Sequence, residues 1–180
     1  MERLRLYHGF SQTELAKKAG TTQAIISNIE NGDYNPSLDL ITRVATALEV
    51  KEDLLINDKI NWIMLEMINY LMNKLPQKNI DILKAMKLVY FSDLLALKTL
   101  ERKLSYLEYK RRHRGPFNKD IYLLDQLFKK EGNFYVGEPF ATYLALGKEE
   151  KEILDQVAEK YGSLSSTELM KLSYETEPMK

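Results

Sequence analysis

The first 56 residues constrain this chain most, because they break into short helical patterns, each opened by a capping residue and closed by a stop. Ser11 precedes Gln-Thr-Glu14, the spacing in which a hydroxyl and a carboxylate satisfy each other's orphan amides at a helix start. The helix so opened is expected to end at Gly20, a residue that enters the left-handed conformation without steric cost. Thr22 caps a second helix that runs to about Asn31-Gly32. Asn35-Pro36-Ser37 then opens a third, with Leu38, Ile41, Ala45 and Leu48 expected on one face.

The spacing within that series carries a mechanism. Ala16 is small enough for close approach of two helices, Gly20 makes the tight turn between them, and Ile26 and Ile29 pin the second to the core. Gln23, Ala24, Ser27 and Asn28 are left on its outer face near its start, which is how a helix-turn-helix presents a recognition helix to the major groove. Gln and Asn can each make two hydrogen bonds to an adenine edge, and the Ala24 methyl can meet that of thymine. Gln12 sits at the start of the preceding helix, where side chain and amide dipole together can hold a phosphate.

Charge pulls the other way. Residues 1–56 carry six bases (Arg3, Arg5, Lys17, Lys18, Arg43, Lys51) against eight acids (Glu2, Glu14, Glu30, Asp33, Asp39, Glu49, Glu52, Asp53), a net of −2, whereas a DNA-binding face is usually basic. One copy is therefore expected to hold DNA weakly, and a homodimer on half-sites about 34 Å apart would double the contacts. A helix-turn-helix used for protein contacts alone is the alternative that the charge count favours.

The remaining composition removes several classes of chemistry. The 180 residues are 44% apolar, enough for a packed core. The absence of cysteine excludes disulfides, thiolate zinc sites and cysteine nucleophiles, and fits a reducing cytoplasm. His8 and His113 are too few for a multi-histidine metal centre, no loop is spaced for a carboxylate-bound cation, and no cofactor is expected. The most apolar run, Trp62 to Met72, contains Glu66 and Asn69 and falls short of the roughly 20 residues a bilayer span needs. No signal peptide is read at the start, so a cytoplasmic protein with no membrane contact is expected. Arg3 and His8 stand at a spacing used by one helical ribonuclease motif. They fall inside the first helix of the amino-terminal unit, and the chain shows no triad and no phosphate loop, so no enzyme is expected.

From about Asp58 the elements lengthen. Ile60, Ile63, Met64, Met67, Ile68, Leu71 and Leu75 recur at helical spacing until Pro76, and Trp62, Leu65 and Met72 lie off that stripe. Such a helix is either sandwiched in a core or partly an interface. A second long helix is predicted from about Ile80 to Leu100, with Leu83, Met86, Tyr90, Leu94 and Leu97 inward. A short strand is expected over 104–110, a turn at Gly115-Pro116, and a helix capped by Asn118 running to about Lys130. Gly132 to Gly147, which includes Phe140, reads as an irregular segment or small hairpin. A helix follows from Lys148 to Tyr161, and another is capped by Ser165-x-x-Glu168. Between Lys98 and Lys119 lie eight bases against Glu101 and Glu108, interleaved with Tyr106, Tyr109 and Phe117. This run is a solvated surface, a patch for an acidic protein partner, or an auxiliary nucleic-acid contact.

Two resemblances follow from these motifs. The stretch from Leu6 to Leu54, centred on SQTELAKKAGTTQAIISNIENGDYNPSLDLITRVATALEV, resembles the Cro/CI-type (XRE) helix-turn-helix. This implies a five-helix DNA-binding domain, with base contacts from Gln23, Ala24, Ser27 and Asn28 and phosphate contacts from Gln12, Thr22 and Asn31. Met86-Lys-Leu-Val-Tyr90-Phe91, Tyr109 through Arg114-Gly115-Pro116-Phe117, Ile153-Leu154 to Tyr161-Gly162 and Ser165-x-x-Glu168-Leu169 are together similar to the Panacea, or SocA-like, antitoxin domain. The Pro-Trp that such domains often carry near the end is Pro178-Met179 here. That resemblance implies a mainly helical domain that neutralises a toxin encoded beside it.

The chain is thus expected to be mainly α. Residues 1–56 would form the DNA-binding domain and 57–180 a helical Panacea-type domain with at most a small β-hairpin. The expected role is that of an antitoxin that binds its cognate toxin and represses its own operon at operator DNA, as a homodimer or a toxin–antitoxin hetero-oligomer. Lys110, Arg111, Arg112, His113 and Arg114 are the candidate toxin contacts. The alternatives are a proteolytic adaptor that delivers the toxin to a protease, and a phage-type regulator whose carboxy-terminal domain dimerises or senses a ligand.

Overall fold

The computed structural model describes residues 1–56, 60–137 and 143–176. Asp58, Phe140, Pro178 and Met179, on which expectations were placed, lie outside the described residues, as does the expected domain junction at 56/57. The described residues fall into two compact units, one of 1–56 with Ile60 and Tyr143, and the other of 61–137 and 144–176. No helix among them is long and apolar enough to cross a membrane.

The amino-terminal unit has five helices: α1 (Glu2–Tyr7), α2 (Gln12–Lys18), α3 (Gln23–Asn31), α4 (Leu38–Ala47) and α5 (Glu52–Ile56). Each boundary read from the sequence has a local cause in the structure. Ser11 and Glu14 form the reciprocal capping box, and the Thr22 and Ser37 hydroxyls accept the Ile25 and Leu40 amides. Gly32 closes α3 in the left-handed conformation. Tyr7, Leu15, Ile26 and Leu48 form the centre of the core. Ala16 is buried on α2, which packs against α3, while Ile26 is fully buried and Ile29 half-buried. The expected face of α4 is corrected at one position. Leu38 is 67% exposed, because the buried stripe is centred on Leu40, Val44 and Leu48 and the first helical residue lies about a third of a turn away from it.

The carboxy-terminal unit is built on α6 (Trp62–Lys74), α7 (Ile82–Thr99), α9 (Lys148–Tyr161) and α10 (Ser166–Tyr174), with α7 packed against the other three. Because α6 and α9 also pack on each other, α6 is buried over most of its surface, from Met64 to Met72 except Tyr70. Its apolar circumference therefore belongs to the core and not to an interface. The same holds for α7, whose residues Lys84–Asp93 are all buried, so the expected single inward stripe is corrected: Leu83 and Leu94 are half-buried and Leu97 is exposed.

Two small antiparallel sheets border this helical core. β1 (Asn79–Asp81), β5 (Phe134–Val136) and β4 (Lys129–Glu131) form one in the order β1-β5-β4, and β2 (Lys110–Arg112) pairs with β3 (Gly115–Phe117) in the other. α7 therefore starts two residues later than predicted, where the Asp81 carboxylate accepts the Leu83 and Lys84 amides. The strand expected over 104–110 is replaced by an irregular segment, and β2 begins at its end. Buried Asp93 takes the place of a strand partner there, accepting the Ser105 amide at 2.8 Å, the Ser105 hydroxyl and the Tyr109 hydroxyl at 2.6 Å. Burial beside that carboxylate raises the Tyr109 phenol well above its usual range. The turn falls on His113-Arg114, not Gly115-Pro116, and the left-handed step is taken by Gly115 at φ +86°. Asn118 caps a 3-10 turn (Lys119–Leu123), which continues as α8 (Leu124–Leu127) and stops before β4, three residues short of Lys130.

A second buried carboxylate fixes the start of α9. Glu66, fully buried on α6, accepts the backbone amides of Leu144, Ala145 and Leu146 at 2.8–3.2 Å. Three converging amides suit one carboxylate, because charge-assisted hydrogen bonds offset the cost of removing it from water.

Candidate DNA and partner interfaces

In the amino-terminal unit, Gln23, Ala24 and Asn28 are exposed on one side of α3 and Ser27 is half-buried beside them. Thr22 and Asn31, also exposed, mark the two ends of that helix. Gln12 is half-buried and joins the group: Gln23 Nε2 donates to Gln12 Oε1 at 2.6 Å, and Gln12 Nε2 donates to Glu30 Oε2 at 2.9 Å. The fold brings Gln12 to Thr22, Gln23 and Ala24 at the start of α3, with Ser27 and Asn28 a little over one turn along the helix and Asn31 at its end, about two turns from Gln23.

Two features of this face were not read from the sequence. Arg5 lies inside α1 and pairs bidentately with Glu30, Nε to Oε1 at 2.7 Å and Nη2 to Oε2 at 2.9 Å, with side-chain exposures of 8% and 2%. Its Nη1 also donates to the Phe10 carbonyl at 2.8 Å. Glu30 therefore stands as the fixed end of a chain running Arg5–Glu30–Gln12–Gln23, and the hydrogen bond to Glu30 pushes the Arg5 guanidinium further toward its charged form. Arg43 on α4 donates at 2.7 Å to the carbonyls of both Ala19 and Gly20, which closes the open end of α2 at the turn. An arginine aimed at helix-end carbonyls is favourable both as donor and as charge. Of the six bases in this unit, Arg5 and Arg43 are thus engaged internally.

In the carboxy-terminal unit, Lys110, Arg111, Arg112, His113 and Arg114 are all exposed and stand together on the β2–β3 hairpin. The wider basic run divides. Arg102 pairs with Glu150, and Lys103 donates to the Leu107 carbonyl at 2.8 Å and lies over the Tyr109 ring. The hairpin is held from behind by two side chains that the sequence reading did not single out. Tyr174 on α10 accepts the Gly115 amide at 2.9 Å and donates to the Arg112 carbonyl at 3.0 Å. Lys87 on α7, 1% exposed, donates from Nζ to the Pro116 carbonyl at 2.8 Å. A Cβ on Gly115 would come within 2.5 Å of Ser173 Oγ, so a larger residue there would displace Ser173 and would also be strained at a φ of +86°. Arg111 and Arg112 lie over the rings of Tyr174 and Phe117, at 6.0 and 5.9 Å from their centroids.

Burial lowers the Lys87 ammonium to about 8, because desolvation opposes its charge and no carboxylate answers it. The sequence did hold a trace of this site: Lys84 and Lys87 interrupt an otherwise apolar buried run, and such residues are retained where they have an acceptor. Lys84 follows the same rule, donating to the Gly162 carbonyl at the end of α9. Among the described residues no three His, Asp or Glu side chains converge on a position that could hold a metal ion.

Comparison with known proteins identifies both domain types. Residues 1–55 match the helix-turn-helix family model, and residues 85–178 match that of the antitoxin SocA-like, Panacea domain. Antitoxin HipB of Escherichia coli O6:H1 is 44% identical over 50 residues, covering 28% of this chain and 53% of that protein. An HTH-type transcriptional regulator of Archaeoglobus fulgidus is 44% identical over 55 residues, 30% of this chain and 79% of its own length. The HTH-type transcriptional regulator SinR of Bacillus licheniformis is 37% identical over 62 residues, 32% of this chain and 56% of its own. The match thus spans about half of HipB and of SinR, and less than a third of this chain in each comparison. No solved structure matches the chain.

Proposed function

The chain belongs to the SocA-like, Panacea-domain antitoxin family and carries a helix-turn-helix domain at its amino end, and on that premise we propose that it neutralises a toxin encoded beside it by direct binding and represses its own operon. The division of labour follows the expected domains, 1–56 for DNA and 57–180 for the toxin. Gln23, Ala24, Ser27 and Asn28 read bases, Gln12, Thr22 and Asn31 hold phosphates, and Lys110, Arg111, Arg112, His113 and Arg114 meet an acidic face of the toxin. The role is one of binding and not of catalysis.

The observation that supports this assignment best is the basic hairpin held in place from behind. Tyr174 and Lys87 fix its backbone while its cations face solvent, an arrangement that lowers the ordering cost of binding an acidic surface. The direct test is growth rescue. Induction of the neighbouring reading frame alone should arrest growth, and co-expression of this chain should restore it. Replacing Lys110, Arg111, Arg112 and Arg114 together by Glu should abolish the rescue while leaving the chain folded. Full rescue by the charge-reversed variant would remove the hairpin from the interface.

A further inference from the structure

A cavity of about 610 Å³ opens between the first two turns of α7, the basic hairpin and the 3-10 turn that follows it. Its walls are of two kinds. Leu83 and Met86 of α7 with Phe117 and Ile121 give an apolar floor, whereas Arg112 and Arg114 stand on the hairpin side, and no acidic residue lines it among the described residues. Lys87 lines the same cavity, 1% exposed, with the Pro116 carbonyl as its acceptor. An ammonium has three donor hydrogens, so a buried lysine with one carbonyl acceptor keeps donor capacity and an unbalanced positive charge.

We propose that this cavity is the anchor site for the toxin, and that it takes an aromatic or branched aliphatic side chain with a carboxylate next to it. The apolar side chain rests on Leu83, Met86 and Phe117, and the carboxylate meets Arg112 and Arg114 at the hairpin. The identity of the partner rests on the antitoxin function proposed above; the chemistry of the anchor rests on the cavity itself. Two observations favour a peptide-borne anchor over a free anion. The space is several times what a phosphate fills, and an anion alone would leave the apolar floor in water, whereas a side chain buries that floor and brings the charge with it. The walls are also pre-formed, since the hairpin is bonded to α7 and α10 before any partner arrives.

The full chain should be titrated with the capped peptide acetyl-Gly-Asp-Phe-Asp-Gly-amide while the Leu83 and Gly115 amide resonances are followed. Counterparts with Asn for both Asp, or Ala for Phe, should bind about tenfold more weakly or not at all. In parallel, association with the product of the neighbouring reading frame should weaken at least about tenfold in Leu83→Trp, which fills the cavity. The exposed pair Arg112→Ser with Arg114→Ser should weaken it likewise, and it removes no core side chain. Lys129→Ser with Lys130→Ser, on exposed β4, should leave it unchanged. Equal binding of all three peptides, or equal shifts from inorganic phosphate, would overturn the proposal, as would undiminished association of the Leu83→Trp and arginine variants. Selective peptide binding by a chain that ignores the neighbouring product would support the anchor chemistry and refute the antitoxin function instead.

Discussion

Gln23 is tied through Gln12 and Glu30 to Arg5, so the amide proposed to read the major groove is positioned before DNA arrives. With one Nε2 hydrogen given to Gln12, its other hydrogen and its oxygen remain for an adenine edge. Gln23→Ala should therefore weaken operator binding by about 1–3 kcal/mol and relax sequence choice at one position, which competition binding against operators varied base by base would show. An equal loss on operator and random DNA would contradict a base-reading role. Lys87 gives a second test at this scale. Its ammonium titrates near 8 in the folded chain and near 10.4 when unfolded, so the unfolded state holds more protons between those values and stability rises with pH across that window. Lys87→Met removes this dependence. The variant should gain relative to the parent below pH 8, and its advantage should shrink between pH 8 and 10, as thermal melts of the two chains would show. A constant difference would mean that Lys87 is not desolvated. Single residues were legible in the sequence where their partners are local: Ser11 with Glu14, Thr22 with Ile25 and Ser165 with Glu168 are all three apart. Arg5 with Glu30 and Lys87 with Pro116 are 25 and 29 apart, and periodicity carries no information about contacts of that kind.

Among elements, the amphipathic helices were the easiest to place and the short strands the hardest. α9 begins and ends where its pattern does, because one face is in water and Gly162 follows. α6 and α7 are buried nearly all round, so no stripe distinguishes the inward face, and the residues expected to mark it on α7 include exposed Leu97. The three-residue strands β2 and β3 are too short for alternation to register, and Gly115-Pro116 looks like a turn although both residues pair with β2. What orders that hairpin is tertiary. Tyr174→Phe removes one hydroxyl that serves both strands, and amide exchange at Gly115 should accelerate about fivefold, the effect of losing roughly 1 kcal/mol locally. The melting temperature should move little. Unchanged exchange would show that the hairpin is ordered by other contacts.

Over the whole molecule, a formal net charge of zero conceals an acidic amino-terminal unit and a basic hairpin in the carboxy-terminal one. That distribution suits the proposed division of labour, in which the hairpin meets an acidic protein surface and DNA is held by a few directional contacts. Both domain types were legible from motif order, and the family models match both. The hairpin's cations were legible as a charge run. The cavity beside them was not, because its walls come from α7, the hairpin and the 3-10 turn, as far as 40 residues apart in the sequence. The most direct measurement of the central claim is size-exclusion chromatography of the purified full chain mixed with the product of the neighbouring reading frame. The account predicts one co-eluting complex that forms with the parent and is lost when Lys110, Arg111, Arg112 and Arg114 are reversed in charge. Separate elution of the parent chain and a product that is toxic by itself would contradict it.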